Sequence, residues 1–264
     1  MRVFVEGIGL LGPGFNGWAA SRPILVGDVP YVFAPTQMVA SDMLPAAERR
    51  RAGVPIKLAL AVGQEAHAHA GRATQSTATV FTSSGGDNDN IHAINNTLAT
   101  APREVSPTRF HNSVHNAVAG YWCIAAQTHE PSTSLCGYDC GFAAGLLEAA
   151  AQVAIDHVHV ALIAYDHPYP EPLNSVRHIE GSFGVAIILV PHATGKTLAI
   201  LEVDYVPRPG SLSGLSNAAL EALRLGNPSA RSLPLLAALA RGKPEQLVLD
   251  YMDDAHLTIM VTPC

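Results

Sequence analysis

The amino-acid sequence predicts an α/β fold in which helices cover both faces of a mixed central sheet. Predicted strands and helices alternate along the chain and end in several consecutive strands, which is the pattern of such a layered fold. Two apolar runs, residues 158–165 and 184–191, have the length and composition of buried strands. Residues 142–156 form a helical pattern rich in small side chains, which suits a helix buried on all sides.

The first elements follow from alternation, glycine and proline. Arg2–Val5 alternates and leads into the glycine-rich run Gly7–Gly14, so a first strand is expected to enter a glycine loop. Residues 15–45 are rich in proline and are expected to be irregular, with Trp18 as a packing anchor. The remaining expected elements are helices over residues 41–51, 58–70, 91–99, 112–128 and 142–156, strands over 78–82, 131–138, 158–165, 184–191 and 198–206, and a closing hairpin of 247–251 with 257–261.

The chain length and the C-terminal composition predict the domain organisation. At 264 residues the chain is one large domain or two fused halves, long enough to bury a sizeable core. We expect residues 1–190 to form a complete N-terminal half and residues 191–264 to add a few strands and a helix to the same core. Residues 207–246, rich in proline, glycine, serine and asparagine before a short leucine- and alanine-rich helix, are expected to be a surface excursion.

Charge and hydropathy argue against several classes of partner. The formal net charge of −6 and the lack of a basic patch with interleaved aromatic residues argue against nucleic acid or an anionic membrane. No apolar run reaches ~18 residues without a charge, glycine or proline, so no membrane span is expected. With 48% hydrophobic residues and abundant alanine and glycine, the composition favours close-packed helices and a large buried interface with another chain.

The four cysteines, Cys123, Cys136, Cys140 and Cys264, form no CxxC pair and no disulfide-scaffold spacing. Free thiols are typical of a reducing cytoplasm, so a cytoplasmic location is predicted. The N-terminal residues Met1–Gly7 are interpreted as a strand rather than a signal peptide, which agrees with that location.

The most informative segment spans residues 106–151. It is interpreted as a helix, a tight connection, a strand, a sharp turn and a buried helix, with Cys140 where the strand turns into that helix. Such a turn can expose a nucleophile, and the N-terminus of the following helix lowers the pKa of a thiol. The neighbouring Asp139 has two interpretations: a residue that replaces the nucleophile, or an N-cap of the helix.

Six stretches of the sequence together resemble the β-ketoacyl synthases of the thiolase fold. By that resemblance, Val5–Gly14 corresponds to the first strand and glycine turn, Asn116–Trp122 to the helix before the nucleophile strand, and Pro131–Leu135 to that strand. Ala144–Ala151 corresponds to the buried helix behind the nucleophile, Val160–Asp166 to a strand ending at an acidic turn, and Gly181–Ile187 to a glycine-rich strand start. The resemblance implies a thiolase-like layered fold whose N-terminal half is complete and whose C-terminal half is abbreviated.

The resemblance also implies what the chemistry requires. In these enzymes a cysteine thiolate attacks an acyl thioester, and two histidines from the second half promote decarboxylation of the extender and stabilise the enolate and oxyanion. After residue 190 this chain contains only His192 and His256, and neither lies in a His-Gly-Thr-Gly-Thr type segment. The resemblance therefore implies that this chain is not catalytic alone. It implies instead that the chain is part of a β-ketoacyl-[acyl-carrier-protein] synthase complex, and that this complex is the acyltransferase.

The nucleophile position depends on how the chain is aligned with the family. Counting from Pro131 without a gap places Asp139 where the family has cysteine, whereas a one-residue shift places Cys140 there. Asp139 at that position would prevent acyl transfer, because a carboxylate forms no long-lived thioester. Cys140 itself is interpreted as an acylated nucleophile, with a relic or a buried core thiol as the alternative.

The chain resembles the truncated ketosynthase-like partners of aryl polyene synthesis, which are akin to chain length factors. The implied function is a non-catalytic subunit that pairs with a full β-ketoacyl synthase in type II polyketide or fatty-acid-like biosynthesis and shapes its acyl tunnel. The implied ligand is an acyl chain on the phosphopantetheine arm of an acyl carrier protein, and no cofactor is implied. Two alternatives stay open: an acyltransferase active through Cys140, and a homodimeric scaffold without acyl chemistry.

The resemblance further assigns contacts with the partner. Thr108, Phe110 and His111 lie where ketosynthases send a segment across the dimer to line the neighbour's tunnel, so they would set the length of the acyl chain. Ordinary packing within this chain is the alternative. Ser134, Cys136 and Tyr138 alternate on the strand that pairs across the dimer axis in the family, where small or aromatic side chains fit.

Three further motifs favour ordinary structural roles. His111 and His115 have metal-ligand spacing, but no third ligand stands out, so a hydrogen-bonded pair and no metal site are expected. Ser83–Gly86 resembles a phosphate-cradling loop but lacks the lysine and spacing of a P-loop. Arg49–Arg51 could meet the phosphopantetheine of an acyl carrier, and a solvated helix end is the alternative.

Overall fold

A mixed β-sheet forms the centre of the molecule, as the sequence predicted. The computed structural model describes residues 1–38, 41–207 and 210–264, which contain nine strands and ten α-helices. The strands are β1 (Arg2–Gly12), β2 (Phe15–Asn16), β3 (Ala78–Thr82), β4 (Ser132–Leu135), β5 (Val160–Asp166), β6 (Phe183–Val190), β7 (Ala199–Pro207), β8 (Glu245–Met252) and β9 (Ala255–Pro263). The helices are α1 (Trp18–Val26), α2 (Ala46–Arg51), α3 (Val54–Ala70), α4 (Asn88–Ala99), α5 (Pro107–His111), α6 (Ala117–Ala126), α7 (Gly141–Ala151), α8 (Leu173–Val176), α9 (Ala218–Gly226) and α10 (Leu233–Arg241).

The strand order across the sheet is β4-β3-β5-β6-β1-β7-β9-β8, with the short β2 paired to β1. Strand β3 pairs in parallel with β4 on one side and β5 on the other. The remaining pairings along the sheet are antiparallel. The two edges of the sheet are therefore β4 and β8.

Each face of the sheet has its own hydrophobic core. One core is built with helices α1, α7 and α10, and the other with α3 and α6. Because both faces are covered, the central strands read as continuous apolar runs rather than alternating ones. Strand β5 directs Val160, Leu162 and Ala164 into the first core and Ala161, Ile163 and Tyr165 into the second.

Helix α7 lies close against the strands beneath it. A Cβ atom added at Gly145 would come within 2.8 Å of the Leu162 side chain and 2.9 Å of the Thr82 side chain. At the start of the helix, the Thr82 hydroxyl donates a hydrogen bond of 2.9 Å to the Gly141 carbonyl oxygen. The small residue at Gly145 is thus required by the depth of the helix. The prediction of burial holds for the face of α7 that meets the sheet, whereas Ile155 and Asp156 at the end of the predicted segment are exposed.

The glycine run of the first strand serves the same purpose on the opposite face. The expectation that Gly7–Gly14 forms a loop is wrong, because β1 continues to Gly12. A Cβ atom at Gly7 would lie 2.1 Å from the Ala66 carbonyl oxygen, and one at Gly9 would lie 2.0 Å from that of Val62. These glycines let α3 contact the strand backbone; the turn itself is left to Pro13 and Gly14.

The C-terminal residues extend the same sheet and complete the first core. Strands β7, β9 and β8 continue from β1, and α10 packs beside α1 and against β8 and β9 in the first core. The expected surface excursion over residues 207–246 is therefore wrong for α10, in which Leu233, Leu235 and Leu236 are fully buried. The division of the chain at residue 190 remains a prediction.

Several boundaries differ from the sequence expectations. Helix α1 forms inside the proline-rich stretch, and Trp18 is buried there as the expected anchor. The helix expected over 112–128 begins only at Ala117. The Asn112 side chain donates a hydrogen bond to the Arg51 carbonyl oxygen and accepts one from the Tyr121 hydroxyl, and these bonds hold the preceding residues in a turn. The helix expected over 142–156 changes from α to π-helical form at Gln152.

The described parts of the chain, 1–38, 41–207 and 210–264, include no helix with both the length and the apolar character that a bilayer crossing requires.

Gly145→Val is expected to lower the free energy of unfolding by about 1–3 kcal/mol, because the new side chain needs space that Leu162 and Thr82 occupy. The matched control is Gly120→Ala on α6, where an added Cβ has nothing within 4 Å. There the free energy of unfolding should stay unchanged or rise by about 0.5–1 kcal/mol. Urea unfolding followed by circular dichroism measures both variants, and a Gly145→Val protein as stable as the parent would contradict the close approach.

Candidate functional site

The candidate site is the turn that joins β4 to α7. Strand β4 ends at Leu135, and Tyr138–Cys140 form a single 3₁₀ turn before α7 begins at Gly141. Cys140 is the residue that caps the start of α7. Tyr138 has a backbone φ of 50°, which lies in the left-handed region that favours glycine. The sharp turn that the sequence predicted is therefore present, and its strain is located at Tyr138.

An open cleft of about 720 Å³ lies above this turn. The turn residues Tyr138–Cys140 share its lining with Leu212 and with residues 250–253 and 256 of the β8–β9 hairpin. Beneath the turn, the cavity lined by Cys140 and Phe142 holds only about 10 Å³. A cavity needs about 10–15 Å³ of such space to hold a single water molecule, so this one has no room for an acyl chain.

The Cys140 thiol is held in its neutral form. Burial, together with the negative charge of Asp250, raises the pKa of Cys140 to about 11, and the positive charge of Arg231 offsets this only in part. The expectation that the helix N-terminus lowers this thiol pKa is therefore wrong. The structural reasons are that Cys140 is half-buried and that the hairpin brings the carboxylate of Asp250 toward it.

Asp139 forms ion pairs with two arginines. One carboxylate oxygen lies 2.5 Å from Nη2 of Arg177, and the other lies 3.5 Å from Nη2 of Arg231. Burial alone lowers the pKa of Arg177, but the hydrogen bond and charge of Asp139 outweigh it and raise the pKa. Asp139 makes no capping hydrogen bond to α7, so the N-cap interpretation is wrong.

The ion-pair network continues into the C-terminal hairpin. Nη1 of Arg231 lies 3.8 Å from Asp250, and Asp250 lies 3.8 Å from Nε2 of His256. Asp250 and His256 face each other in the register of β8 and β9. Nδ1 of His256 is buried and has no hydrogen-bond partner among the described residues. His256 therefore lines the cleft with Cys140, although it lies in no motif that the sequence analysis could use.

The second C-terminal histidine lies elsewhere. His192 follows β6 and stacks on His157, with ring centres 6.4 Å apart. Sequence reasoning missed Arg177, Arg231 and Asp250 as site residues. Arg177 lies 38 positions from Asp139, and no local pattern marks it.

A buried carboxylate supports the site from below. Asp166, at the end of β5, accepts hydrogen bonds from the backbone N–H of Ser84 at 2.8 Å and from the Ser84 and Ser229 hydroxyls at 2.6 Å. Burial raises the pKa of Asp166, although these hydrogen bonds oppose the shift. The loop Ser83–Gly86 is thus bound to a carboxylate of its own chain, which opposes the phosphate-cradle interpretation.

The residues predicted to contact a partner lie outside the Cys140 cleft, except for Tyr138. Phe110 on α5 is 72% exposed, His111 is exposed, and Thr108 is half-buried. Ser134 lies on β4, whereas Cys136 follows the end of that strand, so the expected alternation stops at Leu135. The roles of these residues in pairing and in setting chain length remain predictions.

The remaining motifs behave as surface features. His115 is exposed, like His111, and no group of three or more histidine, cysteine, aspartate or glutamate side chains in the described ranges could hold a metal ion. Arg49–Arg51 form the end of α2, where Arg51 pairs with Glu48 at 3.0 Å.

Several solved structures share this fold, and the thiolase-like architecture is confirmed. Residues 27–243 match the family model described as β-ketoacyl synthase, N-terminal domain. A ketosynthase in complex with its chain length factor from Xenorhabdus doucetiae is 21% identical, with a TM-score of 0.74, and the match covers 98% of this chain and 99% of that chain. The ishigamide ketosynthase/chain length factor is 14% identical, with a TM-score of 0.74 and coverage of 100% and 99%. A β-ketoacyl synthase from Burkholderia phymatum STM815 is 9% identical, with a TM-score of 0.73 and the same coverage. No curated protein sequence matches significantly.

Iodoacetamide at pH 8 is expected to label Cys136 and Cys264, which are exposed, well before Cys140. With a pKa of about 11, roughly one Cys140 thiol in a thousand is a thiolate at pH 8, and the thiolate is the reactive form. A time course of peptide mass spectrometry measures the rates, and labelling in urea is the control in which all the cysteines should react alike. Native labelling of Cys140 as fast as Cys136 would contradict the raised pKa.

Proposed function

We propose that this chain, a member of the β-ketoacyl synthase family, is a non-catalytic subunit of the chain-length-factor type. It pairs in the cytoplasm with a complete β-ketoacyl synthase in type II polyketide biosynthesis of the aryl polyene kind and shapes the acyl tunnel of that partner. The growing chain arrives on the phosphopantetheine arm of an acyl carrier protein. The partner supplies the thiolate and the imidazoles of the condensation.

The observation that carries this proposal is the closed turn at Asp139. The carboxylate is held by Arg177 and Arg231, so the position next to Cys140 is filled by an internal ion pair. The volume of about 10 Å³ beneath the turn cannot hold even a short acyl group. An acyl chain on Cys140 could not extend into the core beneath the turn unless that packing opened.

The groups around Cys140 also fall short of a condensing site. Such a site needs a thiolate, which attacks the thioester carbonyl while the carrier thiol leaves, and two imidazoles for decarboxylation and charge stabilisation. Here the Cys140 pKa of about 11 keeps the thiol protonated at neutral pH. Among the described residues that line the cleft, His256 is the one histidine. The partner, rather than this chain, therefore performs the condensation in the proposed complex.

Pairing is supported by the free edge of β4. Among the described residues β4 pairs with β3 only, so its outer edge presents unpaired backbone groups. Exposed apolar side chains lie on α5 and α6, where Phe110 is 72% and Ile124 48% exposed. One solved relative of this fold is a ketosynthase in complex with its chain length factor. We assign the dimer contact to Ser134, Cys136 and Tyr138 at this edge.

The tunnel role is assigned to Thr108, Phe110 and His111. Phe110 extends from the five-residue helix α5 and makes little contact within its own chain. A large exposed side chain on a short helix can enter a neighbour's cavity at small cost to its own fold. By occupying the far end of the partner's tunnel, Phe110 would limit the length of the acyl chain.

A second cleft supports the carrier protein as ligand. It has a volume of about 540 Å³, and Arg50, Arg51, Lys57 and Arg109 contribute four positive charges to its lining. Among the ion pairs between described residues, only Arg51 of these four has an acidic partner. The remaining cations are available to a phosphate ester, although the same lining contains Asp87 and Asp89. A solvated helix end stays the alternative for Arg49–Arg51.

An acyltransferase that uses Cys140 is the second candidate function. It is favoured by the position of Cys140 at the start of α7 and by its place in an open cleft of about 720 Å³ beside His256. In that case the Cys140 sulfur would form a thioester and the carrier thiol would leave with the proton. A homodimeric scaffold without acyl chemistry is the third candidate, and the free edge of β4 is compatible with it.

Co-expression with a complete β-ketoacyl synthase of the same pathway is expected to yield a stable heterodimer. Malonyl-loaded and primer-loaded carrier proteins should be condensed by the heterodimer and not by this chain alone. Because the proposal assigns no chemistry to Cys140, a Cys140→Ala heterodimer should retain the parent turnover. Size-exclusion chromatography, intact-mass spectrometry and product analysis measure the three outcomes.

The alternatives give different results in the same experiment. An acyl adduct on the isolated chain that is lost in Cys140→Ala would establish the acyltransferase. A stable homodimer that captures no ketosynthase would establish the scaffold. Either result overturns the proposed function.

Phe110→Ala in the heterodimer is expected to shift the products toward longer chains, and Thr108→Trp toward shorter ones, because each changes the space at the end of the tunnel. Total turnover should persist, since neither residue takes part in the chemistry. Leu225→Ala, an exposed leucine on α9, is the matched control and should leave the products unchanged. Unchanged product lengths in both α5 variants would contradict the tunnel role.

A further inference from the structure

Ser182, His167 and Asp89 form a hydrogen-bonded chain of side chains away from the Cys140 cleft, which other residues line. The Ser182 hydroxyl lies 2.8 Å from Nδ1 of His167, and Nε2 of His167 lies 3.2 Å from an oxygen of Asp89. An ionised carboxylate only accepts hydrogen bonds, so Nε2 carries the hydrogen and Nδ1 is left to accept from the Ser182 hydroxyl. One tautomer of His167 therefore satisfies both bonds, and it is the tautomer that a serine nucleophile needs.

The sheet brings the serine and the histidine together. Strands β5 and β6 are antiparallel, and Asp166 faces Phe183 in the last pair of their register. His167 and Ser182 are the next residues along the two strands, so they face each other just beyond the end of the pairing. Directly opposite residues on one face of an antiparallel pair lie close enough for their side chains to interact. The contact between His167 and Ser182 is thus set by the register of the central sheet.

Helix α4 supplies the carboxylate. Asp89 lies in its first turn, two residues after Asp87, which accepts a hydrogen bond of 3.1 Å from the Asn90 backbone N–H and so caps the helix. Asp87 is thereby committed to α4, and Asp89 is the acidic residue that meets His167. The Asp89 side chain is 52% exposed and the His167 side chain 21%, so small molecules in solution can reach these groups.

The backbone around Ser182 is fixed from two sides. Its carbonyl oxygen accepts a hydrogen bond of 2.5 Å from the Thr36 hydroxyl, and the Gly181 carbonyl oxygen accepts one of 2.9 Å from the Asn227 side chain. Ser182 itself is half-buried. A tie between α4 and the sheet would need the histidine and the carboxylate alone. A serine hydroxyl held on the opposite ring nitrogen, on a fixed backbone, is the arrangement that activates a nucleophile.

The cleft beside Asp89 indicates the substrate. Asp89 lines the cleft of about 540 Å³ to which Arg50, Lys57 and Arg109 contribute positive charge. A thioester whose thiol arm ends in a phosphate would be attracted to this cleft with its acyl group near the three side chains. The choice of a phosphopantetheine arm rests on the proposed function, whereas the serine chemistry rests on the hydrogen-bonded chain alone.

We propose that Ser182, His167 and Asp89 form a hydrolytic site that removes acyl groups from thioesters, in particular from a phosphopantetheine arm. Ser182 and His167 are the catalytic residues, and Asp89 is the positioning residue that holds the imidazole. This activity is separate from condensation, to which the chain contributes no chemistry.

The reaction needs only the thioester and water. The Ser182 oxygen forms a bond to the thioester carbonyl carbon while its proton passes to Nδ1 of His167. The C–S bond then breaks, and the departing sulfur takes that proton. Water adds to the acyl-serine in the same way and gives its proton to Nδ1. The C–O bond to Ser182 breaks, Ser182 recovers the proton, and the carboxylic acid departs.

Hydrolysis of hexanoyl-phosphopantetheine by the purified full chain tests the site. Ser182→Ala and His167→Gln are each expected to lower the rate at least about a hundredfold, because each removes a group that takes part in the chemistry. The matched control is His178→Gln, since His178 pairs with Glu180 at 3.1 Å outside the site, and its rate should equal that of the parent. The melting temperature of each variant verifies that it is folded.

The role of Asp89 is tested by the pH profile, which a mere tie between α4 and the sheet would not move. Hydrolysis should rise with pH as His167 loses its proton, because only the neutral ring can accept the proton of Ser182. Asp89→Asn should lower kcat at least about tenfold and move the midpoint of this rise to lower pH. The reason is that one carboxylate favouring the protonated ring is removed, while Asp87, whose charge also acts on His167, remains.

A fluorophosphonate probe gives a second measurement that does not depend on the folding of a Ser182 variant. The probe should phosphonylate Ser182 in the parent chain, with loss of fluoride, and leave Ser182 unlabelled in His167→Gln. Peptide mass spectrometry reads both. Ser113, an exposed serine whose hydroxyl donates to the Phe110 carbonyl oxygen, is the internal control and should stay unlabelled.

The outcomes separate this site from the proposed function. An unlabelled Ser182, or a Ser182→Ala rate equal to that of the parent, overturns the hydrolytic site and leaves the proposed function intact. Hydrolysis that is lost in Cys140→Ala and kept in Ser182→Ala also overturns the site. A chain that forms no heterodimer yet hydrolyses through Ser182 overturns the proposed function and supports the site. Equal hydrolysis of hexanoyl-pantetheine, which lacks the phosphate, overturns the choice of substrate arm.

Discussion

The close approach of α7 to the sheet fixes where the Cys140 turn and the groups around it can lie. Gly141 and Gly145 let the helix axis settle against Thr82 and Leu162, where even one added methyl group would collide. Since α7 begins where the turn ends, the depth of the helix also sets the position of Tyr138, Asp139 and Cys140. The same device operates on the other face, where glycines of β1 admit α3. The packing of α7 against the sheet therefore sets the position at which the charged groups of the site meet.

The C-terminal segment completes this arrangement in two ways. Its apolar residues on α10 pack beside α1 and against β8 and β9, and they belong to the same hydrophobic core as α7. Its polar residues meet the turn, where Arg231 and Asp250 extend the ion pair of Asp139 with Arg177. Buried Asp166, bound to serines from both parts of the chain, ties the two together. Packing and electrostatics therefore close the turn jointly.

This closure is the physical basis of the proposed role as a non-catalytic partner subunit. A catalytic cysteine needs an ionised sulfur, a cavity for its substrate and neighbouring groups that can take up or release a proton during the reaction. At this turn the sulfur is protonated, the cavity beneath is too small for an acyl group, and Asp139 is already neutralised by arginine. The features that oppose chemistry are those that hold the turn rigid. A rigid turn beside a free sheet edge is well suited to present a surface to another chain.

The layered fold, most strands and the burial of α7 against the sheet could be predicted from the residues alone, because apolar periodicity and runs of small residues report directly on which faces are covered. So could the turn at Cys140 and the lack of the family's histidine segments. The folded chain was needed to show that Gly7 and Gly9 serve close packing rather than a loop, and that α10 belongs to the core. It alone joined Asp139 to Arg177 and Arg231, and placed Asp250 and His256 opposite Cys140. Contacts between charges far apart in the chain leave no local periodic trace, so the direction of the Cys140 pKa shift could be decided only once the folded chain had set its neighbours.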